Sequence, residues 1–189
     1  TTTAGTPRSA TCPQPSTLSN APIKSKPTTH TPSGPNDGGG PVPEAWEAAS
    51  AFATAASEAA SQRGLTPAES ELIKVRASQL NGCVVCLDLH SRQARRAGLN
   101  QQLLDILPAW RESPLFSDRE RALLAIAEAA TRLPLDAAVN VELAQARSTL
   151  TEEVFAAAEW VAAAINMFNR ISILSEHRVR PRDSEGKLS

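Results

Sequence analysis

Arg76-Ala77-Ser78-Gln79-Leu80-Asn81-Gly82-Cys83-Val84-Val85-Cys86-Leu87-Asp88-Leu89-His90 is the stretch on which the fold turns. Asn81-Gly82 breaks one helical segment, and a second starts at the cysteines. On that second helix, positions i, i+3 and i+7 share one face, so Cys83, Cys86 and His90 stack along a single stripe while Val84, Val85 and Leu87 pack elsewhere. A dithiol at this spacing can close a disulfide across one turn. A histidine one turn beyond Cys86 can take its proton, because the thiolate is the nucleophile. A cysteine placed just after the Asn-Gly break also sits at a helix N-terminus, whose partial positive charge favours the thiolate. The segment reads as a candidate redox centre.

Upstream, Thr66-Pro67-Ala68-Glu69 is a capping box with proline at the first helical position, starting a helix that runs to about Leu80. It carries Glu71, twelve residues before Cys83. If the helices on either side of Asn81-Gly82 pack face to face, the Glu71 carboxylate folds back toward the cysteines. Val75 and Ser78 share its stripe, so it is expected in a semi-buried setting where its pKa rises and it exchanges protons with a thiol. Before it, Trp46, Ala49, Ala53, Ala56 and Ala60 follow the rhythm of one thin helix face, stopped at Gly64. Downstream, the cysteine helix extends through Arg96 to Gly98. Arg92, Arg95 and Arg96 read as a solvated face that complements the C-terminal end of the dipole. Asn100 caps a short helix to Leu107, and Pro108 and Pro114 bound a turn-rich connection with Trp110 and Phe116 as core anchors. Ser117-Asp118-Arg119-Glu120 is a second capping box, followed at helical spacing by Leu123, Leu124, Ala127 and Ala130 up to Pro134. A shorter helix is expected from about Asn140 to Ser148. Thr151-Glu152-Glu153 opens a long one, with Val154, Ala158, Val161, Ile165, Phe168 and Ser172 on its face, to about His177. Trp46, Trp110 and Trp160 read as core or subunit-contact anchors. No segment alternates as a strand does, so the chain is expected to be all-α.

The 189 residues divide near residue 43. Residues 1–43 hold nine of the 14 prolines, five of the nine glycines, nine threonines and five serines, which leaves almost nothing apolar to bury. That composition predicts a disordered N-terminal extension, with Cys12 and His30 as bystanders. It also overlaps with that of an organelle transit peptide, though proline and glycine are heavy for one. A natural low-complexity extension, a leader left from expression or an arm lying on a partner subunit fits at least as well. Residues 44–180 read as one helical domain and 181–189 as a C-terminal tail. With 19 Lys+Arg against 20 Asp+Glu and no basic run interleaved with aromatics, no nucleic-acid footprint is present. No stretch of about 18 apolar residues exists to span a membrane, and no apolar signal-peptide core is seen, so a cytoplasmic protein is expected. Three cysteines, two of them in a reactive spacing, suit a reducing compartment better than a disulfide-stapled fold.

The cysteines admit other readings. An isolated CxxC in a helical protein can be plain core packing, and the histidine tips the balance toward redox chemistry. A zinc site wants four ligands, and the other histidines are His30 in the extension and His177 near the C-terminus, so no metal is expected. A haem attachment needs histidine where Leu87 stands, and a thioredoxin motif needs a βαβ setting. Glu71 taken alone is more often a solvated helix charge.

Taken together, Glu71, an 11-residue gap and Cys83-x-x-Cys86-x-x-x-His90 resemble the signature of the alkylhydroperoxidase AhpD-like core within the carboxymuconolactone decarboxylase superfamily. Arg76 through Cys83, Trp110-Arg111-Glu112-Ser113 leading into Phe116 through Ala122, and Asn166-Met167-Phe168-Asn169-Arg170 reinforce it. The similarity covers roughly residues 44 to 180. It implies an all-α AhpD-like fold that assembles as a homo-oligomer, trimeric or hexameric, with a thiol peroxidase centre that uses no bound cofactor. By this resemblance Cys86 attacks a hydroperoxide and becomes a sulfenic acid, Cys83 resolves it to the Cys83–Cys86 disulfide, His90 activates Cys86, Glu71 serves the proton relay, and a dithiol reductant resets the pair. Well-studied members carry a histidine directly before the second cysteine, where this chain has Val85. A lactone-acid lyase and a non-catalytic redox-sensing oligomer are the competing readings. The decarboxylase branch does not depend on a CxxC pair, so the intact dithiol argues for the redox branch.

Overall fold

A computed structural model describes residues 42–183 together with 186 and 187. The expected disorder of the extension, with Cys12 and His30, therefore lies outside the described residues except at its last two positions. Of these, Pro43 is the first residue of a helix. Among the described residues there are seven α-helices: α1 (Pro43–Gln62), α2 (Pro67–Asn81), α3 (Val84–Arg96), α4 (Gln101–Ile106), α5 (Asp118–Ala129), α6 (Ala137–Thr149) and α7 (Glu152–Leu174). A 3-10 segment, Leu107–Glu112, follows α4.

The starts of these helices are written in side chains. Thr66 and Ser117 each accept the N–H three residues on, while Glu69 and Glu120 reach back to the cap N–H, so both expected capping boxes close. Asn100 and Thr151 cap α4 and α7. Three expectations shift. The sixth helix begins at Ala137, three residues earlier than Asn140, because Asp136 accepts from Val139 N–H and supplies the cap. The last ends at Leu174 rather than His177. Trp160 is not a core anchor: it is 59% exposed and stands edge-on to Phe52 at 5.9 Å between ring centroids. Trp110 and Phe116 are buried as expected.

Helix α2 is the axis of the molecule, packing against α3, α5 and α7. Its Ile73 enters the larger core with Leu123, Ile126, Phe155 and Val161, while Leu72 and Val75 enter a second with Leu107, Trp110 and Leu124. Alanines on α7 (Ala157, Ala158, Ala162) and Ala60 on α1 fill the larger core with little volume, which lets these helices approach closely. A helix enclosed this far must give each buried polar side chain a partner. On α2 the buried polar residues are Ser70, Glu71, Arg76 and Ser78. Arg76 donates to the buried Glu128 of α5 at 2.8 Å and to Gln79 at 3.0 Å. Glu128 also receives Trp110 Nε1 at 2.8 Å and Arg111 Nη1 at 2.9 Å, which joins α2, the 3-10 segment and α5. Ser78 Oγ accepts from Asn169 of α7, and Glu71 is held by His90 of α3 and by Lys74.

Candidate active site

Gly82 carries α2 into α3. Its φ of +70° is the left-handed conformation that ends α2, and its N–H bonds back to the Gln79 carbonyl. The reversal brings α3 alongside α2, the face-to-face packing on which the Glu71 reading was conditional. Cys83 N–H is received by the Ser78 carbonyl at 3.1 Å, and Cys83 becomes the N-cap of α3 with its sulfur facing Cys86 N–H at 3.4 Å. A thiolate formed on Cys83 meets the positive end of the helix there.

Cys83 and Cys86 are joined as a disulfide across one helical turn, with Cα atoms 5.4 Å apart. Both lie in a small apolar cluster with Ala77 of α2 and Ile165 of α7, Cys83 only 1% and Cys86 5% exposed. Of the neighbours expected to pack away from the stripe, Leu87 packs against the second core and Val85 is half-buried, whereas Val84 is 58% exposed.

Glu71 and His90 meet: Glu71 Oε2 lies 2.8 Å from His90 Nδ1. With the carboxylate as acceptor, Nδ1 carries the proton and Nε2 is the bare nitrogen, one helical turn beyond Cys86. The other carboxylate oxygen, Oε1, receives Lys74 Nζ at 2.8 Å. Burial pushes the Glu71 carboxyl up, as the sequence led one to expect. The hydrogen bond from His90 and the charge of Lys74 outweigh it, and the group is held below its ordinary value. The expected rise is thus reversed: Glu71 is a buried anion that orients and stabilises a histidine rather than a proton-loaded acid. Lys74 escaped the sequence reading, although its three-residue spacing from Glu71 was the available signal.

A second set of residues holds the turn. Asn81 Nδ2 donates to both Asn166 and Asn169 of α7 at 2.8 Å, Asn169 donates to Ser78 Oγ at 3.0 Å, and Arg170 donates to Asn166 at 2.9 Å. The Asn-x-x-Asn-Arg run, noted as a motif, is a clamp on the residues before Cys83. On the far side of α3, Asp88 accepts from Arg92 at 3.0 Å and lies 3.5 Å from Arg182 of the tail, while Arg95 and Arg96 are exposed. Trp46 sits edge-on to Phe168 and, at 6.4 Å, to His177, so it and that histidine pack with each other. Among the described residues no three or more His, Cys, Asp or Glu converge as a metal-binding group, and no helix is long and apolar enough to cross a membrane.

A model of the carboxymuconolactone decarboxylase family matches residues 43–129. The chain is 34% identical over 117 residues to the uncharacterized protein YdfG of Bacillus subtilis, covering 62% of this chain and 80% of that one. It is 41% identical over 83 residues to the uncharacterized protein YnjA of Escherichia coli, 42% of this chain and 45% of the relative. Among solved structures it resembles a protein of unknown function from Agrobacterium tumefaciens, proposed as the antioxidant defence protein AhpD. The TM-score is 0.66 and the identity 31%, over 74% of this chain and 93% of that one.

Proposed function

The chain belongs to the carboxymuconolactone decarboxylase family, and on that premise we propose that it is an AhpD-like thiol peroxidase reducing hydroperoxides through Cys86 and Cys83. The observation that carries the reading is the alignment of a closable dithiol with the Glu71–His90 pair on adjoining helices. In the reduced protein, Nε2 of His90 accepts the Cys86 proton. The thiolate attacks the terminal oxygen of ROOH, the O–O bond breaks, and the alkoxide leaves as ROH with the proton that His90 returns. Cys86 is then a sulfenic acid. The Cys83 thiolate, stabilised at the helix N-terminus, attacks the Cys86 sulfur, the S–O bond breaks, and the hydroxide leaves as water with the proton given up by the Cys83 thiol. A dithiol donor reverses the disulfide by two exchange steps and is itself oxidised. Val85 removes one group from the relay seen in well-studied relatives, so the whole demand for proton transfer falls on His90 and Glu71. We propose that the working form is a homo-oligomer and that the enzyme acts in the cytoplasm.

The near-complete burial of both sulfurs favours a second reading, a redox-sensing module whose disulfide alters assembly without turnover. The test is consumption of cumene hydroperoxide by pre-reduced full-length protein under excess dithiol, with free thiols counted. Sustained turnover abolished by Cys86→Ser, with Cys83→Ser halting after one oxidation, supports the peroxidase. Stoichiometric oxidation without turnover supports the sensor. A lactone-acid lyase activity surviving replacement of both cysteines overturns the redox reading.

A further inference from the structure

We propose that Lys74 is a positioning residue of this site: by holding the second oxygen of Glu71 it fixes the carboxylate toward His90 and balances its charge. A buried carboxylate hydrogen-bonded to an imidazole orients the ring, and it also stabilises the imidazolium. An imidazolium locked in place cannot take the Cys86 proton. The geometry here divides the two effects. Glu71 Oε2 goes to His90 Nδ1 and Oε1 to Lys74 Nζ, each at 2.8 Å, and the side chains of Glu71, His90 and Lys74 are only 10%, 13% and 18% exposed. Solvent screening is therefore weak, and a cation on one oxygen is felt at the other. The carboxylate keeps its direction and its ionisation, while the local charge of Glu71 and Lys74 together sums to zero.

Among the described residues, Arg76, Asp88, Arg92 and Arg170 of the packed helices are engaged elsewhere. On α2, Arg76 points to Glu128 of α5. On α3, Asp88 pairs with Arg92 and Arg182. From α7 the residues at this end are Ile165, Asn166 and Asn169, and Arg170 is bound to Asn166. Against burial, which raises it, the Glu71 carboxyl is held below its ordinary value by His90 and Lys74.

The inference rests on the peroxidase reading only for the use to which the proton is put, and its test does not need peroxide. His90 is followed by NMR of ring-labelled histidine in the oxidised, full-length protein, with His90→Gln identifying its resonance among the three histidines. Lys74→Met, which removes the cation from the far oxygen of Glu71, moves the His90 titration curve to higher pH, and Lys74→Arg, which restores a cation, brings it back. Lys74→Met curves that superimpose on wild type overturn the proposal. So does an equal shift in Lys74→Met and Lys74→Arg, since shape rather than charge would then be at work. If Lys74→Met fails to fold, the milder Lys74→Gln is measured on the same criterion. A wild type that turns over no peroxide but shows these shifts sinks the peroxidase reading and leaves the role of Lys74 standing.

Discussion

Asn81 and Asn169, eighty-eight residues apart, share a hydrogen bond of 2.8 Å that ties the turn before the cysteines to the last helix. Asn169 is wholly buried and spends its own amide on Ser78, whose backbone carbonyl receives Cys83 N–H. The position of the first cysteine is therefore fixed by three side chains that do no chemistry. Asn169→Ala leaves Asn81 and Ser78 each short of a buried partner and is expected to cost about 1–3 kcal/mol. Urea unfolding of the oxidised protein checks this, and a loss within the scatter of surface substitutions would show the clamp to be dispensable.

Gly82 offers a cleaner test of the same turn. Its φ is +70°, yet a Cβ built there meets no atom within 4 Å, so the whole penalty of Gly82→Ala is backbone strain. About 1–2 kcal/mol of destabilisation is expected, seen as a lower thermal midpoint, with Gly82→Asn less affected because asparagine tolerates the left-handed region. A Gly82→Ala protein as stable as wild type would mean that the turn relaxes at no cost.

Local signals carried most of the fold. Thr66, Asn100, Ser117 and Thr151 each announced a helix start in the sequence, and the structure uses all four as caps. The Asn81-Gly82 break and the shared stripe of Cys83, Cys86 and His90 were legible for the same reason: they depend on residues within a turn or two of one another. What escaped depends on partners far along the chain. The direction of the Glu71 shift could not be read from burial alone, because it is set by His90, nineteen residues on, together with an unnoticed Lys74. Glu128 gave no signal, since its partners Arg76 and Trp110 are 52 and 18 residues away. Of the two roles read for Trp160, core or subunit-contact anchor, its exposure rules out the core one, which the residue type alone could not do.

Replacing His90 separates orientation from chemistry. His90→Ala removes the imidazole that meets Glu71 and, on the proposed peroxidase mechanism, is expected to slow peroxide-dependent oxidation of Cys86 by about 10²–10⁴-fold. Far-UV circular dichroism should stay unchanged, because the ring belongs to none of the apolar clusters. Glu71→Gln should cost less than His90→Ala, and the double variant no more than His90→Ala alone, since the carboxylate acts through the histidine. Additive losses in the double variant would mean that Glu71 reaches the sulfur or the peroxide by a route of its own. Stopped-flow oxidation of pre-reduced protein, monitored by free thiol, decides between these.

The pH dependence of stability isolates Glu128. Burial pushes its carboxyl up, but hydrogen bonds from Trp110, Arg76 and Arg111 prevail and hold it below the ordinary value. A carboxylate whose folded pKa is depressed contributes stability that is fully present above its unfolded value, about 4.3, and is lost as pH falls through the folded one. Glu128→Gln keeps an acceptor for Trp110 but leaves Arg76, itself buried, without its counter-charge, at an expected cost of about 3–5 kcal/mol at neutral pH. That gap must narrow on acidification, because the wild-type carboxylate is then protonated and loses the same ion pairs. Glu69 and Glu71 are also held low, so the variant keeps an acid limb, only a shallower one. Urea midpoints of wild type and Glu128→Gln between neutral pH and about pH 3 should therefore converge. A gap constant across that range would mean that Glu128 stabilises the fold through its shape and hydrogen bonds rather than its charge.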